Sequence, residues 1–407
     1  MKEFGKRYFK SIAYFNFEEI KELKDIFVST KNVERILGQL ALHTNTGINP
    51  ETTLIIFDEI QECNEALNSL KYFCENAPEY AVIAAGSLLG VTLSKGDSFP
   101  VGKVDFLQMY PVTFKEFLAT ESPDIFKYVE EMNSLEELPS IVFNRLGESY
   151  NKYQISGGMP QAVSDLLENS GMSAVEKTLQ NILNAYALDF SKHAETKEIP
   201  RITSIWNSIP SQLSKENRKF VYKLVKPGAR AREYEDALLW LQHAGLIHRV
   251  FANIKPFLPL SAYDDISAFK IYLSDVGLLR RLARLSPDTV LSGSPIYTEF
   301  KGAMAENFVL QSLVTQFEVT PRYWVSEGKA EVDFIIQNND RILPIEVKSA
   351  QNTNGKSLFI YNSLYHPKLR IRYSKNNIKR DDNLLNIPIF LVDWSGKFLK
   401  HVRLIDS

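Results

Sequence analysis

The sequence predicts a multidomain α/β protein, and three observations carry that prediction. First, two short, continuous apolar runs, 54–57 (LIIF) and 80–85 (YAVIAA), flank a helical stretch at 62–74. Runs this short and uniformly apolar suit parallel strands covered on both faces, and strand–helix–strand spacing builds a three-layer unit. Second, the middle of the chain turns helical. Third, the last section sets one long helix against several strands. At 407 residues the chain exceeds one ordinary core, so roughly two to four domains are expected.

Each element follows from its local pattern. Residues 12–17 (IAYFNF) read as a strand, with a helical stretch from Glu18. From 114 to 191 the pattern is helical, punctuated at Glu121-Ser122-Pro123 and Gly157-Gly158-Met159-Pro160, and Pro160 stands where a helix can begin. In REYEDALLWLQHAGLIHRV, Tyr234, Ala237, Leu238 and Leu241 share a helical face, Gly245 caps it, and 246–250 is strand-like. Helices followed by a helix–Gly–strand unit resemble a winged helix, a layout that serves protein partners as often as DNA. Near the end, a helix at 299–317 precedes strands at 322–326, 331–337, 343–349, 369–373 and 387–392.

Composition narrows the function classes. Hydrophobic residues make up 44% and charged residues 24%, which describes a soluble globular protein. The net charge of -2 gives no global basic field for nucleic acid or membrane, so any such patch is local. Cys63 and Cys74 form no C-x-x-C, and the six histidines form no metal-spaced pair, which argues against a disulfide framework or a cysteine zinc site and suits a reducing cytoplasm. No stretch reads as a signal peptide or membrane span.

The run LIIF leads into Asp58 and Glu59. In nucleotide-hydrolysing α/β proteins an acid at the end of a core strand holds magnesium, and an adjacent glutamate polarises the attacking water. Ser87, at the tip of the next strand, is placed to sense a γ-phosphate. The same acids also suit the start of the following helix, and the sequence leaves both roles open. Such a site further needs G-x-x-x-x-G-K-[ST] to cradle phosphate oxygens. The relaxed match AQNTNGKS (350–357) has alanine first and lies far beyond Asp58, where glycine, lysine and serine are ordinary turn residues, so it is read as a decoy. Gly5-Lys6-Arg7 lacks both the Ser/Thr and the earlier glycine.

A second constellation lies near the C-terminus. VDFII and LPIEVKS form a hairpin-like pair, with Asp333 in the first strand and Glu346 and Lys348 two apart in the second. A period of two puts Glu346 and Lys348 on one face. Two carboxylates for Mg²⁺ and a lysine to position water are what metal-dependent phosphodiester cleavage requires. Glu306 falls on the apolar stripe Ala303, Leu310, Leu313, Phe317, where a carboxylate is costly unless paired or metal-bound. The alternative is a set of cross-strand salt bridges on an exposed face. Lys368, Arg370 and Arg372 share one face of a strand that either tracks phosphates or is a charged edge strand.

In order, FNFEE, LIIFDEIQE, AAGSLLGV, YPVTFKEFL, GGMPQAV, PFLPLSAY, FKIYLSDVGLL, GAMAENFVLQSL, EVDFII and PIEVKSA resemble the prokaryotic AAA-type ATPases that carry the C-terminal domain of unknown function 4143. The resemblance covers nearly the whole chain. It implies a truncated P-loop NTPase core over 1–120, a helical lid region over 121–195, a winged-helix-like domain over 196–290 and a PD-(D/E)xK nuclease-like domain over 291–407. Asp58 and Glu59 match the Walker B acids, Ser87 the sensor, Asp333, Glu346 and Lys348 the nuclease-fold signature, and Glu306 its helix acid. Asp58, Glu306, Asp333 and Glu346 are thus the expected metal ligands.

Lys103 stands where relatives commonly have arginine, and a lysine lacks the guanidinium fork, so no arginine-finger role is carried over. In relatives a phosphate loop directly precedes the helix matching KEFGKRYF; here that loop and the first strand are missing. A reading frame begun at an internal methionine is favoured over a truncated copy, because losing that strand would leave its neighbour unpaired. The expected protein is a cytoplasmic AAA-family ATPase using ATP and Mg²⁺, impaired in nucleotide binding as this chain. The alternatives are a Mg²⁺-dependent nuclease and a non-catalytic regulator that binds nucleic acid or protein. Nucleic acid, a protein partner and further copies of the chain are the candidate partners, and no membrane is expected.

Overall fold

The computed structural model describes residues 1–44, 47–86, 102–168, 170–215, 217–292, 298–326, 328, 330–350 and 355–405. The chain divides into two compact units, one of Met1–Met109 with His243–Gly245 and the other built from Tyr110–Gln242 and Leu246–Ser407.

The first unit is α1 (Lys2–Tyr8), β1 (Ser11–Asn16), α2 (Leu23–Ser29), α3 (Val33–Thr44), β2 (Thr53–Asp58), α4 (Asn64–Asn76) and β3 (Ala81–Ala84). Its strands form a parallel sheet in the order β1-β2-β3, with Phe15 opposite Phe57 and Phe57 opposite Ala84. The central strand β2 is buried from Thr53 to Phe57, as its unbroken apolar run demands. Phe57 is the hub of the core. Phe17, Phe27 and Phe73 each meet it edge-on, with centroids 5.5–5.9 Å away, the orientation that aligns ring edge with ring face. α1 closes on the sheet through buried Gly5, where a Cβ would press into the Ile12 and Leu54 side chains. β3 ends the order of described strands, and all four of its residues are half-exposed.

The second unit opens with helices. α5 (Phe114–Glu121) starts at Thr113, whose hydroxyl accepts from the Glu116 amide while Glu116 accepts from the Thr113 amide, so YPVTFKEFL encodes a capping box. α6 (Pro123–Glu131), α7 (Ser140–Ser156), α8 (Pro160–Leu167), α9 (Met172–His193), α10 (Ile199–Leu213), α11 (Tyr222–Val225) and α12 (Ala231–His243) follow, α6 and α8 with proline in the first turn. Next come β4 (Ile247–Asn253), β5 (Asp264–Leu273), α13 (Val276–Leu282), α14 (Pro287–Ser292), α15 (Thr298–Phe317), β6 (Arg322–Val325), β7 (Glu331–Asn338) and β8 (Arg341–Val347). The chain closes with α16 (Lys356–Tyr365), β9 (Arg370–Ser374), β10 (Lys379–Asp381), β11 (Leu384–Pro388) and α17 (Ser395–Ile405). Eight strands make one mixed sheet in the order β10-β11-β9-β8-β7-β6-β4-β5. The β4–β5 hairpin is part of that sheet, because β4 pairs in parallel with β6 at Ala252–Tyr323 and Asn253–Trp324.

Three details differ from the pattern reading. The strand expected at 387–392 is β11, Leu384–Pro388; Pro388 has no amide to extend the ladder, and the buried Ile389–Trp394 turns into a 3₁₀ helix. β9 lies between β8 and β11, so it is not an edge strand. α15 is not amphipathic: every residue from Ala303 to Val314 is buried, so its polar side chains are enclosed with the apolar ones. No helix among the described residues is long and apolar enough to cross a membrane.

Candidate functional site

In the first unit, Asp58 ends β2 and Glu59 begins the turn beyond it. Asp58 Oδ2 accepts from the Tyr14 hydroxyl at 2.6 Å across the β1–β2 pair, and Oδ1 accepts from the Glu59 amide at 3.1 Å. The Asp58 carboxylate holds the Tyr14 phenol above its ordinary pKa, because the phenol's proton bridges to a negative charge. Glu59 sits at φ 52°, a left-handed conformation costing a non-glycine residue on the order of 1–2 kcal/mol. The turn is pinned at both ends: Ala85 N–H donates to Phe57 C=O at 2.8 Å, and Ile60 N–H donates to Ala85 C=O at 3.0 Å. The pinning over-determines the conformation and turns the Glu59 carboxylate to Gln61 Nε2, 2.5 Å away. Gln61 Oε1 is buried with no partner.

Asp58 fits a magnesium ion held through water, since each oxygen carries one hydrogen bond and keeps a lone pair. Ser87 lies outside the described residues, as do 351–354 of AQNTNGKS. Of that segment's remainder, Ser357 accepts from the Glu331 amide at 3.3 Å. Lys103 pairs with Glu75 at 3.1 Å.

The four C-terminal residues are placed as follows. Glu306, 3% exposed, is bound by the Arg218 guanidinium and accepts from the Tyr272 hydroxyl at 2.9 Å. Asp333 Oδ2 accepts from the Val347 amide at 2.7 Å across the β7–β8 pair. Burial and the nearby Glu306 charge push the Asp333 carboxyl well above the usual range, toward its neutral form. Glu346 lies between Lys348, 3.0 Å from Oε1, and Arg372, 3.6 Å from Oε2. Gly355, at the start of α16, approaches the Glu346 carboxylate so closely that a Cβ there would collide with it. Glu346 and Lys348 thus come together, and Glu306 and Asp333 lie within electrostatic reach of each other. Among the described residues no three or more His, Cys, Asp and Glu side chains converge as metal ligands. In this arrangement Glu306 faces the Arg218 guanidinium and Glu346 faces Lys348 and Arg372, so both carboxylates are engaged in ion pairs. Arg370 and Arg372, on the face read as either phosphate-tracking or a charged edge, contact Asn383 and Glu346.

Pattern reading missed the partners that fix these groups: Tyr14, Arg218, Tyr272 and Arg372. It also missed a backbone junction. Asp275 caps α13 by accepting from the Leu278 amide at 2.8 Å and takes the Gly158 amide at 2.6 Å, while the Gly158 carbonyl accepts from Val112 at 2.8 Å. A Cβ on Gly157, where φ is +62°, would strike the Asp275 carboxylate, and one on Gly158 would strike the Val112 backbone. YPVTF, GGMP and LSDVGLL meet at this point. α15 then ties the junction down: Asn307 bonds both backbone groups of Leu273, and Gln311 bonds the Val276 amide and the Tyr153 hydroxyl. The sequence signal was the fixed order of these motifs, which structural junctions produce as readily as catalytic ones.

Comparison with known proteins gives the class and then the particular domains. The AAA domain family matches residues 1–118, a stretch that includes Met1–Met109 of the first unit. The domain of unknown function DUF4143 matches 301–391, and a second one, DUF8612, matches 147–289. The chain therefore carries an AAA domain at its N-terminal end and a DUF4143 domain at its C-terminal end, in the order the motifs implied. None of the curated proteins compared matches it. Among solved structures, one match is a Walker-type ATPase of Pyrococcus abyssi, 15% identical over 67% of this chain and 84% of that one, with a TM-score of 0.40.

Proposed function

We propose that this chain is an AAA-family protein in which Asp58 and Glu59 are the Walker B acids, and that it binds ATP poorly by itself. Asp58 would hold magnesium through water, and Glu59 would orient the attacking water with Gln61 beside it. Bound ATP and Mg²⁺ would supply the phosphoanhydride and its charge neutralisation. The observation that carries the reading is the strained, pinned turn that presents both acids at the end of the central strand. What supports poor binding by these 407 residues alone is that they offer no G-x-x-x-x-G-K-[ST] run ahead of these acids. The test is steady-state ATP hydrolysis by the purified chain. Background turnover, equal to that of Glu59→Gln, is expected; turnover above background that Glu59→Gln abolishes would overturn the impairment.

A second reading concerns the C-terminal domain. Its nuclease-like acids support a non-cleaving regulator that engages nucleic acid or a protein partner, because Glu306 and Glu346 are committed to Arg218, Lys348 and Arg372. Incubation with Mg²⁺ and single- or double-stranded DNA or RNA should leave the substrate intact. Cleavage that Lys348→Ala removes would contradict this reading and restore the nuclease.

A further inference from the structure

The second unit contains a partly open cavity of about 110 Å³, several times the roughly 30 Å³ that one liquid water occupies. It opens among α7, α14, α15 and the ends of β8 and β9. Its polar lining includes Asn151 and Gln154 from α7, Lys301 from α15, Ser349 beyond β8 and Lys375 just beyond β9.

The charge balance there is unusual. Lys301 and Lys375 both line the cavity, and no aspartate or glutamate is among the described residues that line it. Neither lysine has an ion-pair partner among the described residues. The lysines elsewhere on this face differ, since Lys348 is matched by Glu346. Burial, with the Lys301 ammonium second, holds Lys375 below the usual lysine pKa. Gln154 adds an independent observation. Its side chain is 4% exposed, lines the cavity, and its Nε2 is buried without an acceptor. A buried amide donor left unmade costs on the order of 1–3 kcal/mol, so Nε2 calls for an acceptor.

We propose that this cavity is an oxyanion site of the phosphate class, clamped by Lys301 and Lys375 with the Gln154 amide as a neutral donor. A phosphate group carries up to two negative charges to match the lysine pair and several oxygens to accept from Nε2, whereas chloride carries one charge and water none. The phosphate can belong to a free nucleotide or inorganic ion, or to a nucleic-acid backbone. The site does not depend on Asp58 or on the nuclease-like acids.

The test uses the full chain and the Lys301→Gln/Lys375→Gln variant, with Gln154→Leu as a second variant that keeps both charges. Inorganic phosphate and a short single-stranded DNA are titrated separately at matched ionic strength, and thermal unfolding confirms that each variant folds. Wild-type binding of at least one probe, weakened tenfold or more in both variants, is the expected result. Phosphate binding without DNA binding assigns the site to a small-molecule phosphate. DNA binding lost in both variants assigns it to the backbone. Removing the lysine pair should also raise the unfolding temperature in phosphate-free buffer, because the repulsion goes with it. Affinities unchanged in both variants, or no binding of either probe, would overturn the proposal.

Discussion

Replacing Arg218 with methionine tests whether Glu306 is a structural ion-pair partner. The pair is nearly sealed, with side-chain exposures of 16% and 4%. Without the guanidinium, Glu306 faces only the Tyr272 hydroxyl and the neighbouring Asp333. It then either stays charged and unpaired, typically costing about 3–5 kcal/mol, or takes up a proton. Protonation has a calculable cost: a glutamate that ionises near 4.3 in the unfolded chain loses about 1.36 kcal/mol per pH unit above that value. The penalty is therefore about 4 kcal/mol at pH 7 and about 1 kcal/mol at pH 5. The sign is that of a raised folded-state pKa, so the loss grows as pH rises. All four tryptophans (206, 240, 324 and 394) lie in the second unit, so tryptophan fluorescence in a urea titration reports that unit alone. Arg218→Met/Glu306→Gln should recover most of the loss, since glutamine keeps an acceptor for Tyr272. A cost below about 1 kcal/mol at pH 7, or one that does not shrink at pH 5, would refute the reasoning.

Three further outcomes follow from the same geometry. Burial raises Asp275 to about 6, so its ionisation should cost the second unit about 3 kcal/mol as pH rises from about 4 to 6; Asp275→Asn should remove that slope in pH-dependent urea unfolding, at the expense of one accepted hydrogen bond. Gly157→Ala should destabilise the second unit by about 1–3 kcal/mol or more, because it adds a left-handed alanine to a collision with the Asp275 carboxylate; a urea midpoint within error of wild type would contradict this. Gly355→Ala should drive the Glu346 carboxylate from its place between Lys348 and Arg372, giving a similar loss by the same fluorescence measurement.

How much of this was legible depends on how local each signal is. The run LIIF before Asp58 announced a covered central strand because so short an unbroken apolar run, ended by two acids, suits a strand enclosed on both faces. Thr113-x-x-Glu116 and the prolines at 123 and 160 marked helix starts through chemistry contained within one turn. Glu306 stood out as an acid on an apolar stripe, yet its partner Arg218 lies 88 residues earlier in a loop with no periodicity. That separation is why a metal looked as reasonable as an ion pair. β5 was obscured because its first four residues are half or fully exposed and only the last six are buried. β9 looked like an edge because it carries alternating arginines; the structure places those arginines against Asn383 and Glu346 inside the sheet, where their charge is locally matched.

The central proposal is that Asp58 and Glu59 serve nucleotide chemistry and that these 407 residues alone bind the triphosphate poorly. A titration of the purified 407-residue chain with a fluorescent ATP analogue, with and without Mg²⁺, tests it most directly. The account predicts a Kd no tighter than about 1 mM, or roughly −4 kcal/mol of binding, with little change in Asp58→Ala. Saturable, Mg²⁺-dependent binding in the micromolar range that Asp58→Ala abolishes would contradict it.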